Sequence, residues 1–213
     1  MLSSRRGLLG RLGAAFLAVC AIVPAIGLAP EPAPVPKRWQ LDVTPGDLRV
    51  AYVNAGDNSA AYLYLTYSVT NNTGNDLDFV PSFTLATDSG VSLASGVGVP
   101  AAVTKQVLAS IEHPFMQDQI DILGPIQQGP ENAKHGVVIW PVVDYQADEV
   151  RIFGAGFSGE TETIELTDPR TGEAKRLIFR KTLMMRFGTP GELRVAEIGD
   201  EPFGVAEKRW IMR

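Results

Sequence analysis

Apolar and polar side chains alternate along most of this chain. The pattern is sharpest over positions 62–90, YLYLTYSVTNNTGNDLDFVPSFTLATDSG. Leu63, Leu65, Tyr67 and Val69 fall on one face and Thr66, Ser68 and Thr70 on the other, the period-two pattern of a half-buried strand. Asn71-Asn72-Thr73-Gly74-Asn75 predicts a turn, after which Leu77, Phe79, Phe83 and Leu85 resume the alternation. Pro81 has no amide donor, so this second strand is expected at an edge or with a gap in its pairing; TDSG closes the unit. Upstream, WQLDV alternates through Trp39, Leu41 and Val43, and a turn at Pro45-Gly46 is expected to lead into DLRVAYVN. Downstream, GVVIWPVV is a continuous apolar run, read as a core strand buried on both faces. DEVRIFGAGF and ETIEL are strand-like, and DPRTG is a turn with Pro169 preset for it and Gly172 free to take a positive φ. In KRLIFRKTLMMRF, Leu177, Phe179, Leu183, Met185 and Phe187 share one face, interrupted by Lys181, with Arg180, Thr182 and Arg186 opposite.

The period changes in the middle. Between Pro100 and Pro114, Val103, Val107, Leu108 and Ile111 recur at helical spacing, with the first proline acceptable at a helix start and the second ending it. The stretch FMQDQIDILGPIQQGPENAKHG reads as a connector with a short extended piece over 120–123. Many short strands with turn signals and one short inserted helix predict a mainly β chain, an immunoglobulin-like antiparallel β-sandwich. Residues 39–213 form its single domain, with the helical insertion near 100–113 and a C-terminal extension ending EKRWIMR.

The first segment stands apart. Arg5, Arg6 and Arg11 precede an uncharged run over 12–29, so residues 1–27 read as a signal peptide or an uncleaved membrane anchor. Small residues favour cleavage after Ala25 or Gly27. The protein is then expected to be exported, periplasmic or extracellular, and anchored in the inner membrane if the segment stays. Residues 28–38, including PEPAPVPK, form a Pro-rich linker expected as an extended polyproline II spacer that holds the domain away from its attachment. Cys20 is the only cysteine. In LAVC it resembles a lipidation site, but bulky Val19 and the apolar run beyond it fit an ordinary signal residue. With the segment removed, no thiol is left for disulfides, thiolate catalysis or cysteine-bound metals.

Composition adds exclusions. With 213 residues, 45% hydrophobic and 20% charged, the chain can bury a sizeable core. A net charge of -5 without a sustained cationic stripe argues against a nucleic-acid partner.

Taken together, GPI, HGVVIW, IFGAGFSGE, DPRTGE, RKTL and RWIMR are similar to a group of exported bacterial proteins, of the kind found in planctomycetes, with an immunoglobulin-like sandwich. The strand–NNTGNDL–strand–TDSG pattern also resembles sandwich modules of extracytoplasmic accessory proteins. The resemblance implies a fold and a compartment and carries across no catalytic residue.

Candidate chemistry is sparse. Gly96, Gly98 and Ala101 satisfy G-x-G-x-x-A before the helix, but a dinucleotide site needs a β-α-β unit and a ribose-binding acid, so a strand-to-helix loop is the plainer reading. His113 and His135, the only histidines, sit beside turn residues without a metal-binding spacing or a nucleophile elbow. Asp118 and Asp121 are considered as paired glycosidase acids on their charge alone. Asn72, Asp76 and Asp78 in one turn, with Asp144, Asp148 and Glu149 in another, offer oxygen ligands for calcium should they converge at one sandwich end. Ordinary turn chemistry explains the same residues. Tyr62, Tyr64, Tyr52 and Trp210 offer rings to a polysaccharide or envelope protein, unless the inserted helix covers the outer strand face. The expected function is a non-catalytic exported binding or structural module of the cell envelope without a cofactor. The alternatives are a hydrolase or metal-dependent carbohydrate-active enzyme whose site assembles only in the fold, and a calcium-stabilised adhesion domain.

Overall fold

A computed structural model of the chain describes residues 29–55, 58–168, 170–189 and 202–213. The expected signal or anchor, its cleavage sites after Ala25 and Gly27, Cys20 and Pro169 lie outside the described residues. The elements are β1 (Asp42–Ala55), β2 (Asn58–Thr70), β3 (Leu77–Phe79), β4 (Ser82–Thr87), β5 (Ser92–Ala94), α1 (Ala101–Ser110), β6 (Met116–Gln117) and β7 (Gly124–Ile126), followed by β8 (Lys134–Pro141), β9 (Glu149–Ala155), β10 (Thr161–Thr167), β11 (Ala174–Gly188) and β12 (Val205–Met212). One sheet runs β1-β2-β8-β6; the other runs β10-β11-β9-β4-β5, with β12 also on β11; β3 and β7 make a small third pair. Only the short β6–β8 pairing among these is parallel. The molecule is thus mainly β and sandwich-like, with one α-helix among the described residues.

The two faces of β2 meet different partners. Leu63, Leu65, Tyr67 and Val69 turn inward, with Val138 and Trp140 of β8, onto Leu85, Ile152, Leu183 and Met185 of the opposite sheet. At the centre Tyr67, Phe79, Phe83 and Phe157 form an aromatic group with centroids 4.9 to 5.9 Å apart in the Tyr67 contacts, within the favourable range for offset or edge contacts. On the outer face, Val53, Tyr62, Val137 and Ile139 are covered by Val103 and Val107 of α1. That explains β8: with a second sheet on one side and a helix on the other, residues 136–140 are all buried, so alternation would have no use there.

Three expected elements differ. Pro45-Gly46 is not a turn: β1 continues through it with a register irregularity between Pro45 and Leu48, because a proline without an N–H is accommodated by a bulge. The outer edge at Leu48 then pairs with Phe203, N–H to C=O in both directions at 3.0 and 2.8 Å, which joins the two sheets. The run 77–85 is two strands: β3 pairs with β7, the chain crosses at Val80-Pro81, and β4 enters the second sheet beside β9. Residues 120–123 are a turn, held by Asp118 Oδ1, which accepts the N–H groups of Ile120 and Asp121 at 2.8 and 2.9 Å; the extended pieces lie on either side as β6 and β7. Trp39 to Leu41 likewise bond to 157–159, in the link between β9 and β10, before β1 begins.

Candidate functional site

β11 is longer than the body it crosses. Its second half lies between β9 and β12, while its first half pairs with β10 and meets the other neighbour only at Arg180, which exchanges backbone hydrogen bonds with Arg213. The register places Ile164 opposite Leu177 and Thr163 opposite Ile178. The result is a two-stranded arm beyond the core, closed by a turn in which Asp168 Oδ1 accepts the Arg170 N–H at 2.7 Å and Gly172 takes φ 73. Leu166 and Ile178 are 49% and 60% exposed on it. The Arg176–Glu165 pair at 3.1 Å spans the strands in full solvent, where such pairs contribute little. Sequence alternation predicted these strands but gave no sign that they outrun the sandwich, because the length of a neighbouring strand is a tertiary fact.

A cavity of about 380 Å³ lies between α1 and the 118–121 turn, lined by Val99, Leu108, Val137 and Ile139, with Lys105 and Asp121 among its polar residues. Gly96 belongs to its wall, with φ 76. Its N–H donates to Ile139 C=O at 2.9 Å, and a side chain there would collide with Gln119. The glycine pattern is therefore a close-packed loop stitched to β8; the strand before it, β5, pairs antiparallel with β4, and no β-α-β unit surrounds it among the described residues. Asp118 spends one carboxylate oxygen on its own turn.

The fold brings the two histidines together. Parallel pairing of Met116 with His135 places the His113 and His135 rings 4.2 Å apart, tilted by 42°. His113 Nδ1 accepts the Phe115 N–H at 3.3 Å. Burial, and then the neighbouring His113, hold His135 below its ordinary 6.5. His135, Lys134 and Glu131 line an open groove of about 620 Å³ with Phe115 at its rim. No local spacing signalled this contact, since it depends on β6 lying beside β8.

The oxygen ligands considered for calcium do not converge. Asn72, Asp76 and Asp78 follow β2, whose end pairs with the start of β8 at Val69–Lys134; Asp144, Asp148 and Glu149 follow the end of β8. The length of β8, about 23 Å of strand, separates them. Asn72 Nδ2 donates to Asp42, Asp76 Oδ1 accepts the Gln128 N–H, and Asp144 accepts from Ser89. Hydrogen bonding from Ser89 holds Asp144 below the usual carboxylate range, against a smaller opposing effect of burial. Glu149 is paired with Arg151 and Arg186. Among the described residues no group of three His, Cys, Asp or Glu side chains is placed to hold a metal.

Of the aromatic candidates, Tyr62 is covered by α1 and is 7% exposed. Tyr64 is half-buried beside the same helix; burial raises its hydroxyl pKa, partly opposed by Arg49. Tyr52 is the more exposed ring of that face. Trp210 lies opposite Leu183 in β12, its ring 5.7 Å from Lys181 Nζ. No helix of the described residues is long and apolar enough to cross a membrane. Comparison with protein-family models, with curated proteins and with solved structures finds no match to this chain.

Proposed function

We propose that the chain is a non-catalytic, exported binding module of the bacterial cell envelope, an immunoglobulin-like sandwich that engages another envelope component through the β10–β11 arm. One observation carries this reading: exposed Leu166 and Ile178 on a hairpin whose outer strand edges have no strand partner among the described residues. Such an edge, with side chains alternating on two faces, takes an added strand through backbone bonds and reads it through its side chains. Export is supported by the arginine-led apolar start of the sequence and by the resemblance to exported sandwich proteins. A photo-cross-linking residue at Ile178, compared with one at the equally exposed Val97, tests the proposal in intact envelopes. A discrete adduct is expected from 178 alone, and equal capture from both positions, or from neither, defeats it.

The contact between His113 and His135 favours a second reading, a hydrolase or metal-dependent carbohydrate-active enzyme. It requires turnover of an envelope polysaccharide that disappears in His135→Gln; unchanged turnover in that variant removes the histidines from it.

A further inference from the structure

The stretch 30–36 has prolines at 30, 32, 34 and 36, leaving backbone donors at Glu31, Ala33 and Val35 alone. Ala33 is held by both of its backbone polar groups. Its N–H donates to Glu160 Oε1 at 2.8 Å, and its C=O accepts from Lys181 Nζ at 3.2 Å. Lys181 Nζ also donates to Glu160 Oε2 at 2.9 Å. The side chains of Lys181 and Glu160 are only 3% and 8% exposed, and the Trp210 ring flanks the ammonium. Six residues on, Trp39 C=O accepts the Gly159 N–H at 3.0 Å. Both ends of the Pro-rich loop therefore rest on the link between β9 and β10, and chain bends at 34–35 and 37–38 replace the straight spacer.

A buried Glu–Lys pair gains little over an apolar one unless its remaining lone pairs and protons are also met. Here they are met by backbone, an acceptor aimed at an N–H and a donor aimed at a C=O. That is the chemistry of a site that reads the backbone of a single residue. Prolines on either side leave no N–H at the adjacent positions, so the segment cannot slip by one residue and still bond.

We propose that Glu160 and Lys181 form a binding site for one residue of a proline-flanked segment, occupied in cis by Ala33, and that the same site takes the Pro-Ala-Pro segment of a second copy of this chain once the cis segment is displaced. Every copy carries both halves of the contact, which is the requirement for exchanging an identical element between protomers. The proposal stands apart from the role given to the arm.

The test uses the full chain carrying Ala33→Pro, which removes the donated N–H while suiting an extended backbone and leaves Glu160 and Lys181 untouched. Binding of a labelled PEPAPVPK peptide is followed by anisotropy. The variant is expected to bind it about tenfold more tightly than the wild-type chain, whose site is filled, and to bind PEPPPVPK about tenfold more weakly than PEPAPVPK, as loss of a charge-assisted hydrogen bond requires. Adding Glu160→Gln to the variant is expected to shrink the preference between peptides, because the amide oxygen still accepts the N–H but without the carboxylate's charge. Absence of binding to the Ala33→Pro chain, or equal binding of the two peptides, overturns the proposal. The peptide comparison needs no change in the pocket, so it holds whatever Glu160→Gln does to folding.

Discussion

At position 136 the chain has no room for a side chain: a Cβ on Gly136 would run into the Tyr67 ring and Ile122 Cδ1. Both neighbours are buried, so neither yields cheaply. Gly136→Ala is expected to lower stability by about 1–3 kcal/mol, as overpacking does, seen as a lower urea midpoint with unchanged slope. The sequence offered Gly136 only as the first letter of an apolar run, since the obstacle comes from a strand some seventy positions earlier. Lys181 was more legible. It broke an apolar face in the sequence, and such a break in a core strand demands a partner. Which partner was hidden, because Glu160 reads as a loop acid. Burial raises the Glu160 pKa, but the Ala33 N–H and the Lys181 ammonium outweigh it and hold the carboxyl below its ordinary 4.5. The stability it contributes is therefore complete above pH 4.5 and is lost as pH falls below that value.

At the level of elements, β8 and α1 were the most readable parts and explain each other. An uninterrupted apolar strand needs cover on both sides, and the amphipathic stretch that precedes it in the chain supplies one of them. Val107→Ala at the centre of that cover is expected to cost about 2 kcal/mol and to make Tyr62 accessible to a fluorescence quencher; an unchanged Tyr62 signal would show that the helix does not shield it. Strand partners were much less readable. The alternation over 77–85 is real, yet it serves two sheets in succession, because period two specifies which side faces in and not which neighbour pairs. β6 is the extreme case, two residues long, and it is what brings the histidines together. His113 faces His135, and Lys134 and Glu131 line the same groove. Since His135 is held below 6.5 when folded, the unfolded chain binds its proton more readily, and stability declines as pH drops through 6.5. The urea midpoint should fall on going from pH 7.5 to 5.5, and His113→Gln should reduce that slope without removing it, because burial is the larger cause; an equal slope in the variant would assign the whole effect to burial.

For the whole molecule, the sequence conveyed a mainly β body with an inserted helix, and the structure shows a two-sheet sandwich-like arrangement. The sequence did not convey how the sheets are joined, since pairings between distant edges leave no periodic trace. The same limit governs the acidic turns, which sit at opposite ends of β8 rather than around one point. Melting curves with excess calcium and with chelator are accordingly expected to coincide, whereas a ligand bound only by the native state would raise the midpoint. One junction bears on the order of folding. Residue 48 lies in the first strand and its cross-sheet partner is residue 203. During synthesis that bond has to wait until residue 203 has left the ribosome. Loop-closure entropy makes so distant a pairing slow, so the seam between the two sheets is expected to be among the last contacts the nascent chain makes.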